Sequence, residues 1–133
     1  MKIDINQRIL SLHEEKTSQN KQRLTASQIV TINLMGSPGA GKTSLLEGVM
    51  PLLGAELRTA VIEGDLFTSK DAERVAALGI PAVQINTRGA CHLDGSMMAD
   101  AMDQLPLDNL DLLIVENIGN LVCPAEFDLG EDF

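Results

Sequence analysis

The chain has 133 residues, 44% apolar and 22% charged, which is one small domain of ordinary globular usage and excludes a disordered tail, a collagen-like repeat or a mucin-like stalk. No apolar run approaches the roughly 18 residues of a membrane span, and residues 1–16 lack the apolar core and small-residue cleavage site of a secretory signal, so a cytoplasmic chain is expected. A net charge of −9, three Phe and no Trp or Tyr exclude a general nucleic-acid binder, which needs a basic footprint, and a stacking platform for single strands.

Residues 3–23 are polar, with Ile5, Ile9, Leu10, Leu12 and His13 scattered at helical spacing. They predict a helix ending near Lys21–Arg23, carried on an appended arm, residues 1–28. This arm holds five basic and three acidic residues, whereas residues 94–133 hold ten acids and no Lys or Arg. Most of those acids read as solvated surface, and His13 reads as solvated too. Ile29–Met35 is a short, β-branched, largely apolar run, expected as a strand buried on both faces. Gly36–Gly41 breaks it. Lys42–Met50 predicts a helix with Leu45, Leu46 and Val49 on one face, ended by Pro51. Arg58–Glu63 is a second strand. Ser69–Leu78 is a helix with Val75 and Leu78 inward and Gly79 as its stop. Ala82–Asn86 is a third strand, Leu93–Gln104 a Met-rich helix, and Asp111–Glu116 a fourth strand. Strands alternating with helices predict an α/β fold, a mostly parallel sheet with helices on both faces and ligands at the carboxyl ends of its strands.

Gly36-Ser37-Pro38-Gly39-Ala40-Gly41-Lys42-Thr43 fits G-x-x-x-x-G-K-[ST] at every fixed position. Set between a strand and a helix, it marks residues 29–133 as a P-loop nucleotide-binding domain. Glycines let the backbone N–H groups converge on an anion, and the helix N-terminus adds partial positive charge. Lys42, where the helix begins, is then the ligand of the β- and γ-phosphates and Thr43 of Mg²⁺, and Ser44 beside them is expected to bind the nucleotide too. Asp65 and Glu116 end strands at the same sheet edge, where an acid holds Mg²⁺ directly or through water. Gly119 is placed to bring its N–H to a γ-phosphate.

Cys91 and His92 follow the third strand and Cys123 the fourth, all at the rim that carries the phosphate loop. Two thiols and an imidazole suit Zn²⁺ or Ni²⁺ better than Mg²⁺. From spacing alone, Cys91 and Cys123 are more often buried small apolar residues than metal ligands. A disulfide is disfavoured because nothing marks the chain as secreted.

From Ile32 to Asp132 the chain resembles the HypB family, GTPases that aid nickel insertion into [NiFe] hydrogenase. The resemblance rests on Leu34–Thr43, Val61-Ile62-Glu63-Gly64-Asp65, Pro81–Thr87, Cys91-His92-Leu93-Asp94, and Glu116–Pro124 with Phe127–Glu131. It implies a SIMIBI-type P-loop NTPase with Lys42, Asp65 and Glu116 as its catalytic groups. It further implies GTP with Mg²⁺, and Ni²⁺ or Zn²⁺ on Cys91, His92 and Cys123 near a dimer interface. A GTP-dependent homodimer, a HypA-type nickel chaperone and the hydrogenase large-subunit precursor are the implied partners. Residues 1–28 lack the Cys- or His-rich nickel-storage segment of many members. The chain stops at Phe133 without the Asn-Lys-x-Asp motif that reads guanine. The expectation is therefore a domain truncated at its C-terminus, with strand 29–35 left as an open apolar edge. The alternatives are a UreG-like urease accessory GTPase, disfavoured because Ala125 stands where that family has His after Cys-Pro, and a non-catalytic nickel- or zinc-binding fragment.

Overall fold

Two of the four apolar runs have no polar alternation, and these become the inner strands of a parallel sheet. The computed structural model describes residues 5–66 and 70–133. Helix α1 (Ile5–Ala26) is followed by β1 (Val30–Leu34), α2 (Lys42–Gly54), β2 (Thr59–Asp65), α3 (Lys70–Ala76), β3 (Ala82–Asn86), α4 (Gly95–Met102) and β4 (Leu112–Glu116). Short 3-10 turns lie at Leu107–Asn109 and Pro124–Glu126. All pairings are parallel, in the order β1-β4-β2-β3.

Alternation along the inner strands divides the core in two. Ala60, Ile62, Leu113 and Val115 face α1 and α4, meeting Leu24, Leu93, Met98 and Met102. Val61, Leu112 and Ile114 face α2 and α3, meeting Leu46, Met50 and Val75. Helices therefore cover both faces, as expected.

Several local expectations are corrected. Pro51 lies inside α2, which runs on to Gly54. Its ring is exposed, and the full burial of Met50 beside it holds the turn together. Leu45 and Leu78 point outward, while Leu46, Met50 and Val75 do the packing. Gly79 does follow α3 in a left-handed conformation, φ +77°. The predicted start of α3 at Ser69 and of α1 at Ile3 lies outside the described residues.

Strand β1 is an edge of the sheet among the described residues, with Val30 half exposed. It is not a bare edge. Thr31 N–H donates to Asp132 Oδ2 at 2.9 Å and Asn33 N–H to the Phe133 carbonyl at 2.8 Å. Asp132 N–H returns a bond to the Thr31 carbonyl at 2.9 Å. These bonds occupy the outward backbone groups that would otherwise recruit another strand.

The first half of α1 is mostly exposed, but its second half is not an appendage. Thr17, Asn20 and Leu24 are buried. Asn20 Nδ2 donates to the Gly95 carbonyl at 2.9 Å and Thr17 Oγ1 to the Asp128 carbonyl at 2.8 Å. Gly95 makes this approach feasible, since a Cβ there would stand 2.9 Å from Thr17 Oγ1 and 3.0 Å from the His13 carbonyl. Gly95→Ala is therefore expected to destabilise the chain by roughly 1–3 kcal/mol through overpacking. The check is a urea midpoint lowered at unchanged slope, read by far-UV circular dichroism.

Candidate functional site

Strand β1 delivers the chain to Gly36, which pairs with Asn120 in an isolated antiparallel bridge. The loop then turns through Gly39 and Gly41, at φ +76° and +96°, values that cost an L-residue about 1–2 kcal/mol. Gly41 also serves as the N-cap of α2 and offers no side-chain oxygen to the first-turn amides, so those donors and the helix dipole remain for an anion. Lys42 Nζ lies over its own loop, donating to the carbonyls of Gly36 at 2.9 Å and Ser37 at 3.3 Å.

A cavity of about 410 Å³ opens above this loop. Lys42, Thr43, Ser44, Asp65, Glu116 and Gly119 all line it, as do Pro38, Gly39 and Gly41. Gly36, Ser37 and Ala40 belong to the loop without lining the cavity. Gly119 is packed flush against the loop, where a Cβ would stand 3.1 Å from Pro38 Cγ. Arg74 lines the cavity too, but pairs with Glu47 and, at 3.5 Å, with Asp71.

The acids of the cavity are arranged differently from the sequence expectation. Thr43 Oγ1 and Glu116 Oε1 are hydrogen-bonded at 2.6 Å, so that pair comes together. The group drawn in around Glu116 is Glu63 and Asp71, whose ligand oxygens all lie within 4.8 Å of one another. Asp65 is outside that group, although it lines the same cavity. Glu63 sits directly across from Glu116 in the β2–β4 register and is 1% exposed. Burial first, then a hydrogen bond to Glu116 and the charges of Glu116, Asp71 and Asp65, push its carboxyl up to about 10. Glu63 Oε1 and Glu116 Oε2 are buried without hydrogen-bond partners among the described residues. Orphaned carboxylate oxygens beside a threonine hydroxyl are hard oxygen donors, and the set fits Mg²⁺.

The soft donors lie on the loops beside this cavity. Cys91 is exposed and Cys123 half-buried, both as free thiols. Cys91 Sγ lies 3.7 Å from His92 Nδ1. A hydrogen bond to Cys91 pushes the Cys123 thiol up, with burial and the charges of Cys91 and Glu126 acting in the same direction. Burial holds His92 below the ordinary imidazole range, which favours the neutral ring a metal requires. Two thiols and a neutral imidazole fit a borderline-soft ion, although these three do not form a closed group within 4.8 Å.

One residue joins the two regions, through its backbone on one side and its side chain on the other. Asn120, bridged to Gly36 of the phosphate loop, donates through Nδ2 to the Cys91 carbonyl at 2.5 Å. Its Oδ1 accepts from the backbone N–H groups of Val122 at 3.0 Å and Cys123 at 2.8 Å. Asn120 was missed by the sequence reading, as were Glu63, Asp71 and His13. His13 is not merely solvated, because its Nδ1 accepts the Gly95 N–H at 3.0 Å. Its one sequence signal was a histidine on an otherwise plain polar helix.

The parallel sheet, the glycine loop between β1 and α2 and the acid-lined cavity define a P-loop nucleotide-binding domain of the α/β class. The model of the CobW/HypB/UreG nucleotide-binding domain matches residues 30–130, and the chain belongs to that family. It is 46% identical over 129 residues to the hydrogenase maturation factor HypB of Escherichia coli K12, covering 97% of this chain and 44% of that protein. It is 50% identical over 131 residues to HypB of Azotobacter vinelandii, covering 97% and 43%. It thus spans less than half the length of these relatives. Among solved structures, HypB from Helicobacter pylori in complex with nickel superposes with a TM-score of 0.82 at 41% identity, covering 90% of this chain and 56% of that one. HypB from Archaeoglobus fulgidus gives a TM-score of 0.82 at 37% identity, covering 92% and 60%. No helix among the described residues is long and apolar enough to cross a membrane.

Proposed function

We propose that this chain is the nucleotide-gated metal-handling part of a hydrogenase maturation GTPase, binding GTP above Gly36–Thr43 and passing Ni²⁺ from Cys91, His92 and Cys123. The observation that carries the reading is Asn120, which spans from the phosphate loop to both cysteine loops. A change in the nucleotide that moves the Gly119–Asn120 turn also moves the backbone bearing two metal ligands. The nickel-bound Helicobacter relative supports the same cargo.

In this reading the Lys42 ammonium and the loop amides bind the β- and γ-phosphates and offset charge on the transferring phosphoryl group. Thr43, Glu116 and Asp65 hold Mg²⁺, joined by Glu63 and Asp71; the ion, when bound, neutralises phosphate charge. Gly119 brings its N–H to the γ-phosphate, and water is the nucleophile. Zn²⁺ is the alternative occupant of the thiol site. The pairing of Arg74 with Glu47 and Asp71 gives it another task than that of an arginine finger. The reading requires a homodimer formed with GTP, a HypA-type nickel chaperone as the source of metal and the [NiFe]-hydrogenase large-subunit precursor as its destination. The urease-accessory alternative is not favoured, given Ala125 after Cys123-Pro124.

Isothermal titration tests this on the whole chain. GTP with Mg²⁺ is expected to bind more tightly than ATP with Mg²⁺. Ni²⁺ is expected to bind the wild type and to lose that binding in Cys91→Ser and Cys123→Ser. Metal binding without any nucleotide binding would leave only the non-catalytic metal-binding fragment.

A further inference from the structure

We infer that His13 and Phe127 are positioning residues of the Cys91–His92–Cys123 site, so that helix α1 must be seated for His92 to be presented to a metal. The inference rests on the metal-binding reading above and deepens it.

The geometry is local and specific. The His92 ring lies flat on Phe127, with centroids 3.7 Å apart and planes 7° from parallel. His13 meets the same phenyl ring edge to face, at 5.2 Å and 78°. A stacked ring has few rotamers left, so Phe127 fixes the direction in which the His92 nitrogens point. The histidine of α1 also acts on the backbone. His13 Nδ1 accepts the N–H of Gly95, the first residue of α4 and only three positions after His92. At the other end of this segment, Asn120 holds the Cys91 carbonyl. The ligand-bearing stretch 91–95 is therefore gripped at both ends, and the ring between them is clamped.

One stripe of α1 provides the support. His13, Thr17 and Asn20 recur at i, i+4 and i+7, the spacing of one helix face. Asn20 Nδ2 donates to the Gly95 carbonyl, so Gly95 is held at both its N–H and its C=O. Thr17 Oγ1 donates to the Asp128 carbonyl, pinning the segment that carries Phe127. Both loops that flank the thiols are thus braced by the same helix face. Groups that orient a metal-binding imidazole without touching the metal typically govern affinity by about 10- to 100-fold.

The test is titration of Co²⁺ into the full reduced chain, reading affinity by chelator competition and geometry by the visible absorption bands. His13→Ala and Phe127→Leu are each expected to weaken Co²⁺ binding by about 10-fold or more and to alter the band pattern. GTP·Mg²⁺ affinity should stay at the wild-type level in both. His13→Asn, which keeps an acceptor for the Gly95 N–H, should restore most of the Co²⁺ affinity. Variants with wild-type Co²⁺ affinity and spectrum would overturn the inference. So would a parallel loss of GTP·Mg²⁺ binding, which would mark general unfolding. A wild-type chain that binds no Co²⁺ would overturn the metal reading itself, a result visible before any variant is made.

Discussion

Lys42→Ala is expected to lower GTP·Mg²⁺ affinity by at least ~100-fold, equivalent to about 2.8 kcal/mol. Lys42 supplies the one mobile cation of a loop whose remaining donors are backbone amides, and charge-assisted hydrogen bonds to phosphate are worth about 1.5–3 kcal/mol each. Its Nζ already bridges the Gly36 and Ser37 carbonyls, so the ammonium is held over the mouth of the loop before any ligand arrives. Removing it costs the fold little. Those two bonds are part-buried or exposed, and typical net values near 1 kcal/mol apply. The variant should therefore unfold close to the wild-type urea midpoint while failing to bind nucleotide. Wild-type affinity in Lys42→Ala would refute the assignment of this loop to phosphate.

Glu63→Gln should stabilise the chain at pH 8, measured without nucleotide and with divalent ions chelated. The folded carboxyl of Glu63 is pushed up from 4.5 to about 10, by burial first and then by its bond to Glu116 and the neighbouring acids. Between those two values the unfolded chain has lost this proton and the folded chain has kept it. Folding therefore takes up a proton. The stability associated with this group is fully present below about pH 4.5 and falls as pH rises toward 10, with a slope of about 1.4 kcal/mol per unit. A glutamine is neutral throughout and keeps a donor for Glu116. Between pH 6 and 8 the wild type should lose clearly more stability than Glu63→Gln, on the order of 1–3 kcal/mol. The check is urea unfolding of both proteins at both pH values, followed by far-UV circular dichroism because Trp and Tyr are absent. Parallel pH dependence in the two would show that Glu63 is ionised in the folded chain.

Glu63 also shows where sequence reading stopped. The alternation of strands and helices, the phosphate loop and the placing of Cys91, His92 and Cys123 on rim loops follow from local pattern, because chain direction alone sends every βα connection of a parallel sheet to one edge. Which acids meet is decided by strand order. Asp65 stands out in one dimension because it terminates β2. Glu63 closes the expected strand Arg58–Glu63 and shows no partner until β4 is known to lie beside β2, which sets it opposite Glu116. Asp71 reads as an ordinary first-turn acid of α3 until that helix is seen over the same cavity. His13 and Asn120 were hidden for a related reason, since their partners, Gly95 and the Cys91 carbonyl, are backbone groups 82 and 29 positions away. Pro51 failed in the opposite sense. Its local preference was clear, and the burial of Met50 overrode it.

The two glycines under α1 limit how that helix can move. Gly95 faces Thr17, and Gly130, at φ +90°, faces Lys21, where a Cβ would lie 2.9 Å from the Lys21 backbone nitrogen. Each is a notch cut to the helix backbone, and the two sit about one turn apart. Sliding without turning, or turning without sliding, departs from the helix's own screw of about 1.5 Å and 100° per residue and would bring side chains toward both notches. The position of α1 against the sheet is therefore fixed by backbone-to-backbone fit at two points as well as by its side chains.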